Sequence, residues 1–280
     1  MKRVLAFIGS PRKLGNCEIM VKEISRNIPE PHELRVLRLT DFDLQPCRGC
    51  YACLFNGKGC VIKDQFHFVF DEILQADAYI AAAPTYFLGP ASVMKRLTDR
   101  HLALYPHAEK LWGRPAVSVS VTGIKGREGY TALGLESFLK LLLADIKASR
   151  EIYGALPGEI FYGAEAKTAA AQLGASLFGK RETRGGPSCP LCGGQTFRFT
   201  GDSSVCCMLC SNYGTLTFEK GVPHFEIATG EHEMFTSLES AVAHREWLKG
   251  MKERFLSEKD ALKQIVVGYL EDGTKVLPVP

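Results

Sequence analysis

The sequence predicts an α/β protein: a doubly wound parallel five-stranded sheet, followed by a small cysteine-stapled β module and a closing helix. Three observations predict it. Apolar strand-like runs alternate with helical patterns through residues 1 to about 155. An Ala-rich segment and the break Arg184-Gly-Gly-Pro187 interrupt that alternation. Beyond the break the texture changes to paired cysteines, short β-rich runs and glycines. Alternation of this kind implies a parallel sheet covered on both faces by right-handed crossovers, with ligands bound at the carboxyl ends of the strands.

The strands are expected at Arg3–Ile8, Glu33–Leu39, Asp77–Ala83 and Pro115–Val121, with a fifth near Glu151–Ala155. Helices are expected around Cys17–Asn27, Gln65–Leu74, Ala91–Leu104 and Thr131–Ala148, and an Ala-rich one at Ala164–Gly179. Thr196–Thr200 and Thr215–Phe218 read as strands of the second module. Thr236-Ser-Leu-Glu239 has the form of a capping box, and Leu238, Val242, Leu248, Met251 and Phe255 recur at roughly helical spacing, which predicts a packed amphipathic helix. The resulting division is 1–160 for the sheet domain with a cysteine loop at 47–60, 161–186 for helix and linker, 187–225 for the second module, and 226–280 for a helical segment with a loose tail.

At 280 residues, a prior of roughly 150 per domain suggests about two domains. The formal net charge of +3 is spread along the chain, so nothing calls for nucleic acid or an anionic membrane as partner. The apolar stretch Val4–Ile8 is shorter than a signal-peptide core, and no run approaches the ~18 residues that span a bilayer, so a cytoplasmic protein is expected. Close C-x2-C pairs in such a chain argue for metal binding rather than disulfides. The seven histidines show no ligand spacing.

Gly9-Ser10-Pro11-Arg12-Lys13-Leu14-Gly15-Asn16 lies between the first strand and the first helix, where backbone N–H groups and the helix dipole favour an anion. Ser10, Arg12 and Asn16 add side-chain donors. Ala83-Pro-Thr-Tyr-Phe-Leu-Gly-Pro90 and Thr122-Gly-Ile-Lys-Gly126 end the third and fourth strands and face the same crevice, where an aromatic pair and exposed amides suit a flat ring with polar edges. Core packing is the plainer role for Tyr86 and Phe87.

Cys47, Cys50, Cys53 and Cys60 form C-x2-C-x2-C-x6-C, a spacing by which a cubane cluster is wrapped, and Gly49, Gly57 and Gly59 relax the loop around it. A 4Fe-4S cluster is the favoured occupant, with zinc or free thiols as alternatives. Cys189, Cys192, Cys207 and Cys210 form C-x2-C-x14-C-x2-C, close to a ribbon-type zinc site, with a rubredoxin-like iron as the rival. Cys206 is an alternative to Cys207, though the two-residue step favours Cys207.

Gly-Ser-Pro-Arg-x-x-Gly-Asn, the Pro84-Thr-Tyr-Phe87 loop and Lys95-Arg-Leu-Thr-Asp-Arg100, taken in order, resemble the NADPH-dependent FMN reductase group of flavodoxin-like proteins. With the compact cysteine loop, residues 1 to about 155 are similar to the iron-sulfur flavoproteins in particular. The resemblance implies FMN, its phosphate bound by Ser10, Arg12, Gly15, Asn16 and Cys17, and its ring by Pro84, Thr85, Tyr86, Phe87, Thr122 and Gly123. Cys17 departs from the Ser or Thr usual in the family, and a helix N-terminus could make that thiol reactive, although a buried inert Cys is commoner. The resemblance also implies a homodimer or homotetramer, and NAD(P)H or a ferredoxin-like protein as electron donor.

The expected activity is an FMN and iron-sulfur oxidoreductase with no assignable acid-base residue. The alternatives are a plain NAD(P)H-dependent FMN or quinone reductase with structural cysteines, and a redox sensor whose ribbon module recognises a partner.

Overall fold

Five consecutive apolar residues, Val4–Ile8, are fully buried in β1 (Lys2–Ile8), as a central parallel strand covered on both faces requires. Their side chains alternate: Leu5 and Phe7 enter one core, Val4, Ala6 and Ile8 the other. The computed structural model describes residues 1–183, 185–274 and 276. Arg184, which opens the expected linker, and residues 275 and 277–280 of the expected tail lie outside the described residues.

After β1 come α1 (Asn16–Arg26), β2 (His32–Arg38), the short α2 (Ala52–Asn56), α3 (Phe66–Gln75) and β3 (Ala78–Tyr86). A two-residue β4 (Gly89–Pro90) folds back on β3, and α4 (Ser92–Thr98), α5 (Ala108–Leu111), β5 (Pro115–Thr122), α6 (Thr131–Leu141), β6 (Asp145–Tyr153) and α7 (Glu165–Leu177) complete the domain. The parallel strands run in the order β2-β1-β3-β5-β6. The order reverses between β1 and β3, so the loops leaving those two strands part and open a crevice at the carboxyl edge. Helices α1 and α7 cover one face, and α3, α4 and α6 the other. Gly174 of α7 lies against the end of α1, where a Cβ would stand 2.7 Å from the Ile24 carbonyl oxygen. Only glycine allows the two helices to approach this closely.

Four boundaries differ by three residues or more from the expected ones, the first being the end of β3, at Tyr86 rather than Ala83. The fourth helix ends at Leu141 rather than near Ala148, and β6 starts at Asp145 rather than near Glu151. The chain turns at Leu143 with φ 63, and the apolar run Leu141–Ala144 carries no glycine to mark that turn. The helix expected over Ala91–Leu104 stops at Thr98, and 3-10 turns follow from His101 to His107 around Pro106.

The second module is an antiparallel sheet of β7 (Phe197–Phe199), β8 (Ser204–Cys207), β9 (Tyr213–Glu219) and β10 (Val222–Ile227). Its small core consists of Cys189, Cys192, Cys207, Cys210, Val205, Leu209 and Ile227, with Leu133 of α6 packed alongside. The final helix, α8 (Leu238–Val267), is capped one residue later than the expected box: Ser237 Oγ accepts the Ser240 N–H at 3.1 Å, while Thr236 Oγ1 donates to Glu233. Leu238 and Leu248 pack on the main core, but Phe255 is 54% exposed, and the packed stripe expected to reach it ends earlier. Among the described residues no helix is long and apolar enough to cross a membrane.

Candidate functional site

The turn after β1 is held in shape by a carboxylate. Leu14, at φ 50, donates its N–H to Glu18 Oε2 at 2.9 Å, and the same carboxylate receives Arg38 at 2.5 Å and Lys22 at 2.8 Å. Burial alone would raise the Glu18 pKa, but the hydrogen bonds from Lys22, Leu14 and Arg38 outweigh it and hold the acid down at about 2. No local pattern in the sequence marks Glu18, because its partners include a backbone amide and an arginine on β2.

Gly15 caps α1, leaving the N–H groups of Asn16 and Cys17 at the open end of the helix. The Asn16 side chain is turned away from any phosphate: Nδ2 donates to the Gly154 and Leu156 carbonyls at 3.1 and 3.0 Å, and Oδ1 accepts the Gly158 N–H at 2.8 Å. Its expected side-chain contribution to an anion is therefore spent on the loop after β6. Arg12 donates one Nη1 bond to the Ala155 carbonyl at 3.1 Å and is otherwise exposed at the mouth. Burial pushes the Cys17 thiol up to about 12, against weaker opposing effects of its backbone hydrogen bond and Arg12. The thiol is neutral and inert at physiological pH.

These groups border a crevice of about 210 Å³. Ser10, Arg12, Asn16 and Cys17 line one side, and Pro84, Thr85, Tyr86 and Gly123 the other. Val121, Gly154 and Ala155 join them, a wall that strand-end motifs alone did not mark. Gly15 and Thr122 do not line it, but Thr122 bonds the lining Thr85 hydroxyl to hydroxyl at 2.7 Å. Phe87 and Leu88 adopt left-handed backbone, φ 47 and 68, and Phe87 projects fully into solvent. Strain of this kind in non-glycine residues costs ~1–3 kcal/mol each and collects at ligand sites. The loop is fixed from below by the Tyr130 N–H donating to the Leu88 carbonyl at 2.7 Å.

Cys47, Cys50, Cys53 and Cys60 surround a separate cavity of about 340 Å³. Cys47 and Cys50 are exposed, and Cys53 and Cys60 half-buried. Positive φ at Gly49, Tyr51, Gly57 and Gly59 wraps the backbone around the space. Burial, followed by the nearby Cys60 and Cys50, raises the Cys53 thiol to about 11, so it becomes a thiolate ligand only with a cationic occupant beside it. The floor of the cavity contains Arg100, paired with Asp64 beneath it. Neither residue stood out in the sequence as part of the cysteine site.

The other cysteine group is tighter. The Cys189 and Cys210 sulfurs lie 3.8 Å apart and those of Cys192 and Cys207 3.5 Å apart, and all four fall within 4.8 Å of one another. A tetrahedral ion with bonds of about 2.3 Å separates its sulfurs by about 3.8 Å, so the geometry fits one metal ion. A cubane, with a metal at four corners, holds its thiolates farther apart, and among the described residues the 47–60 cysteines form no such tight group. Cys206 points elsewhere, toward the Cys207 carbonyl at 3.6 Å. Hydrogen bonds from Cys189, Cys192 and Cys207 hold Cys210 far below the usual thiol range, while bonds with Cys189 and Cys210 push Cys192 and Cys207 far above it. At this spacing all four sulfurs can ionise together only around a cation.

Residues 2–139 match the family model of NADPH-dependent FMN reductases. An iron-sulfur flavoprotein of Archaeoglobus fulgidus is 31% identical over 138 residues, 48% of this chain and 66% of that protein. One from Methanocaldococcus jannaschii is 34% identical over 125 residues, 43% of this chain and 64% of the relative. The chain thus spans a little under two thirds of the length of these relatives. Over its whole length the fold resembles a flavone reductase structure, with TM-score 0.72, 18% identity, and 99% of this chain and 100% of that one covered. Residues 2–139 are thus an NADPH-dependent FMN reductase domain, similar in sequence to those of iron-sulfur flavoproteins.

Proposed function

We propose that the protein is an FMN-dependent oxidoreductase that passes electrons between a 4Fe-4S cluster in the 47–60 loop and FMN in the crevice between β1 and β3. The observation that carries this reading is that loops leaving the carboxyl ends of neighbouring strands of one sheet build two sites: a crevice with phosphate-loop donors after β1, β3 and β5, and a cavity walled by four thiols after β2. When bound, the flavin exchanges electrons singly or in pairs and the cluster exchanges them one at a time. In this reading Ser10, Arg12 and the amides of Gly15, Asn16 and Cys17 hold the phosphate. Pro84, Thr85, Tyr86 and Gly123 contact the ring, with Phe87 and Thr122 shaping its surroundings. Cys47, Cys50, Cys53 and Cys60 are the cluster ligands. Cys189, Cys192, Cys207 and Cys210 bind a structural zinc ion. The protein works in the cytoplasm as a homodimer or homotetramer and takes electrons from NAD(P)H or a ferredoxin-like protein.

The test is Cys50→Ser, purified without oxygen. The variant should retain FMN, and dithionite should still bleach it, while reduction by a one-electron protein donor is lost. Unchanged reduction by that donor would instead support a plain NAD(P)H-dependent reductase in which the cysteines are structural.

A further inference from the structure

We infer that Arg100 is a cationic hydrogen-bond donor to the iron-sulfur centre of the cysteine loop, a positioning residue that sets the centre's reduction potential without ligating it. This inference rests on the cluster reading above. Arg100 has the largest fully buried side chain among the described residues, and it lines the cavity together with all four cysteines of the loop. Its guanidinium is fixed from behind. Both terminal nitrogens engage the Asp64 carboxylate, with Nη2 at 3.0 Å from Oδ1, and Nη1 also reaches the Gln45 carbonyl at 3.3 Å. The guanidinium carbon lies 4.0 Å above the Phe66 ring.

Asp64 is itself immobilised by the Gln45 and Phe66 N–H groups at 2.7 and 3.1 Å. It does not line the cavity, so the cysteines meet the cation before its counterion. Nε is the one guanidinium nitrogen without a hydrogen-bond partner, and it is buried. Burying a charged group with one donor unsatisfied is costly, whereas an apolar pair of similar volume would cost nothing comparable. An acceptor in the cavity removes that cost. The bridging sulfides and thiolates of a cluster are acceptors whose negative charge increases on reduction, so a fixed N–H donor of positive charge favours the reduced form and raises the potential.

A purely structural ion pair would behave differently under one pair of substitutions. Arg100→Met combined with Asp64→Leu removes both charges together, which buried pairs tolerate far better than loss of one partner. In this double variant, with four irons per chain retained, EPR-monitored titration should show the reduced fraction lowered at least tenfold at a given potential, about 59 mV for one electron. An unchanged midpoint would overturn the inference. A second measurement needs no folding-sensitive variant. In protein labelled with 15N-arginine, pulsed EPR of the reduced centre should show nitrogen hyperfine coupling that survives Arg48→Lys, which removes the exposed arginine of the loop. Absence of the coupling in wild type, or its loss in Arg48→Lys, would also overturn it. A wild-type protein without iron would refute the functional reading itself, an outcome distinct from either.

Discussion

Asn16 Oδ1 accepts the Gly158 N–H at 2.8 Å, joining residues 142 positions apart and tying the start of α1 to the loop after β6. The same side chain donates to the Gly154 and Leu156 carbonyls, so one amide closes the crevice on that side. The site is therefore assembled from both ends of the sheet domain.

This separates two residues of the same turn. Asn16→Ala removes three hydrogen bonds at ~0.5–1.5 kcal/mol each, so the domain should lose about 2–3 kcal/mol in urea unfolding. Arg12→Ala, at the exposed mouth, should leave the unfolding midpoint unchanged and weaken FMN more than tenfold. Equal stability losses in the two variants, or full FMN affinity in Arg12→Ala, would assign the roles wrongly.

Gly129 supports the loop beneath the exposed Phe87. It has φ 57, and a Cβ there would stand 2.0 Å from the Leu88 carbonyl oxygen. Gly129→Ala must displace residues 86–90, and a loss of about 2–4 kcal/mol with weakened FMN binding is expected. Gly126→Ala, at φ 82 but in open space, should cost only ~1–2 kcal/mol through its backbone and leave FMN affinity near wild type. Titration calorimetry of both variants checks the contrast, and indistinguishable affinities would contradict it.

Glu18 predicts a dependence on pH. Its pKa in the folded protein, about 2, lies below the ordinary 4.5, so its contribution is present above about pH 4.5 and is lost as pH falls toward 2. The linkage amounts to up to about 3 kcal/mol, of which roughly 2 are gone by pH 3. Glu18→Gln should be less stable than wild type at pH 7, and the difference should shrink by that amount at pH 3. A constant difference across this range would show that the carboxylate is not the responsive group.

Much of this arrangement was legible in the sequence because it is written in local patterns. The strand ends at Ile8 and Thr122 follow apolar runs, and both cysteine groups are marked by spacing. The turn at Leu143 was hidden because a leucine occupies a conformation that glycine usually signals. The cap at Ser237 was shifted by one residue because Thr236 offered an equally good hydroxyl, which in the structure serves Glu233 instead. Asn16, Glu18 and the Arg100–Asp64 pair depend on tertiary partners, so residue type alone points Asn16 at an anion, leaves Glu18 and Asp64 unmarked, and marks Arg100 only within the Lys95–Arg100 stretch. The distal part of α8 carried helical periodicity without burial, since the spacing of apolar residues does not say whether anything covers them.

The ribbon module has a core in which four of the seven buried members are the cysteines of the tight group. Without metal little apolar packing remains, so Cys189→Ser or Cys210→Ser should lower zinc content and the thermal midpoint while leaving the flavin spectrum intact. Iron in this site in place of zinc would overturn the structural assignment.

The central claim is that one sheet domain holds two redox centres while the ribbon holds a structural ion. Its most direct test is the count of iron, acid-labile sulfide, flavin and zinc per chain in wild-type protein purified without oxygen, joined to EPR of the dithionite-reduced sample. Four irons with matching sulfide, one FMN, one zinc and a reduced cluster signal that vanishes in Cys50→Ser are predicted. A carefully prepared protein that binds FMN yet is free of iron and EPR-silent would contradict the account.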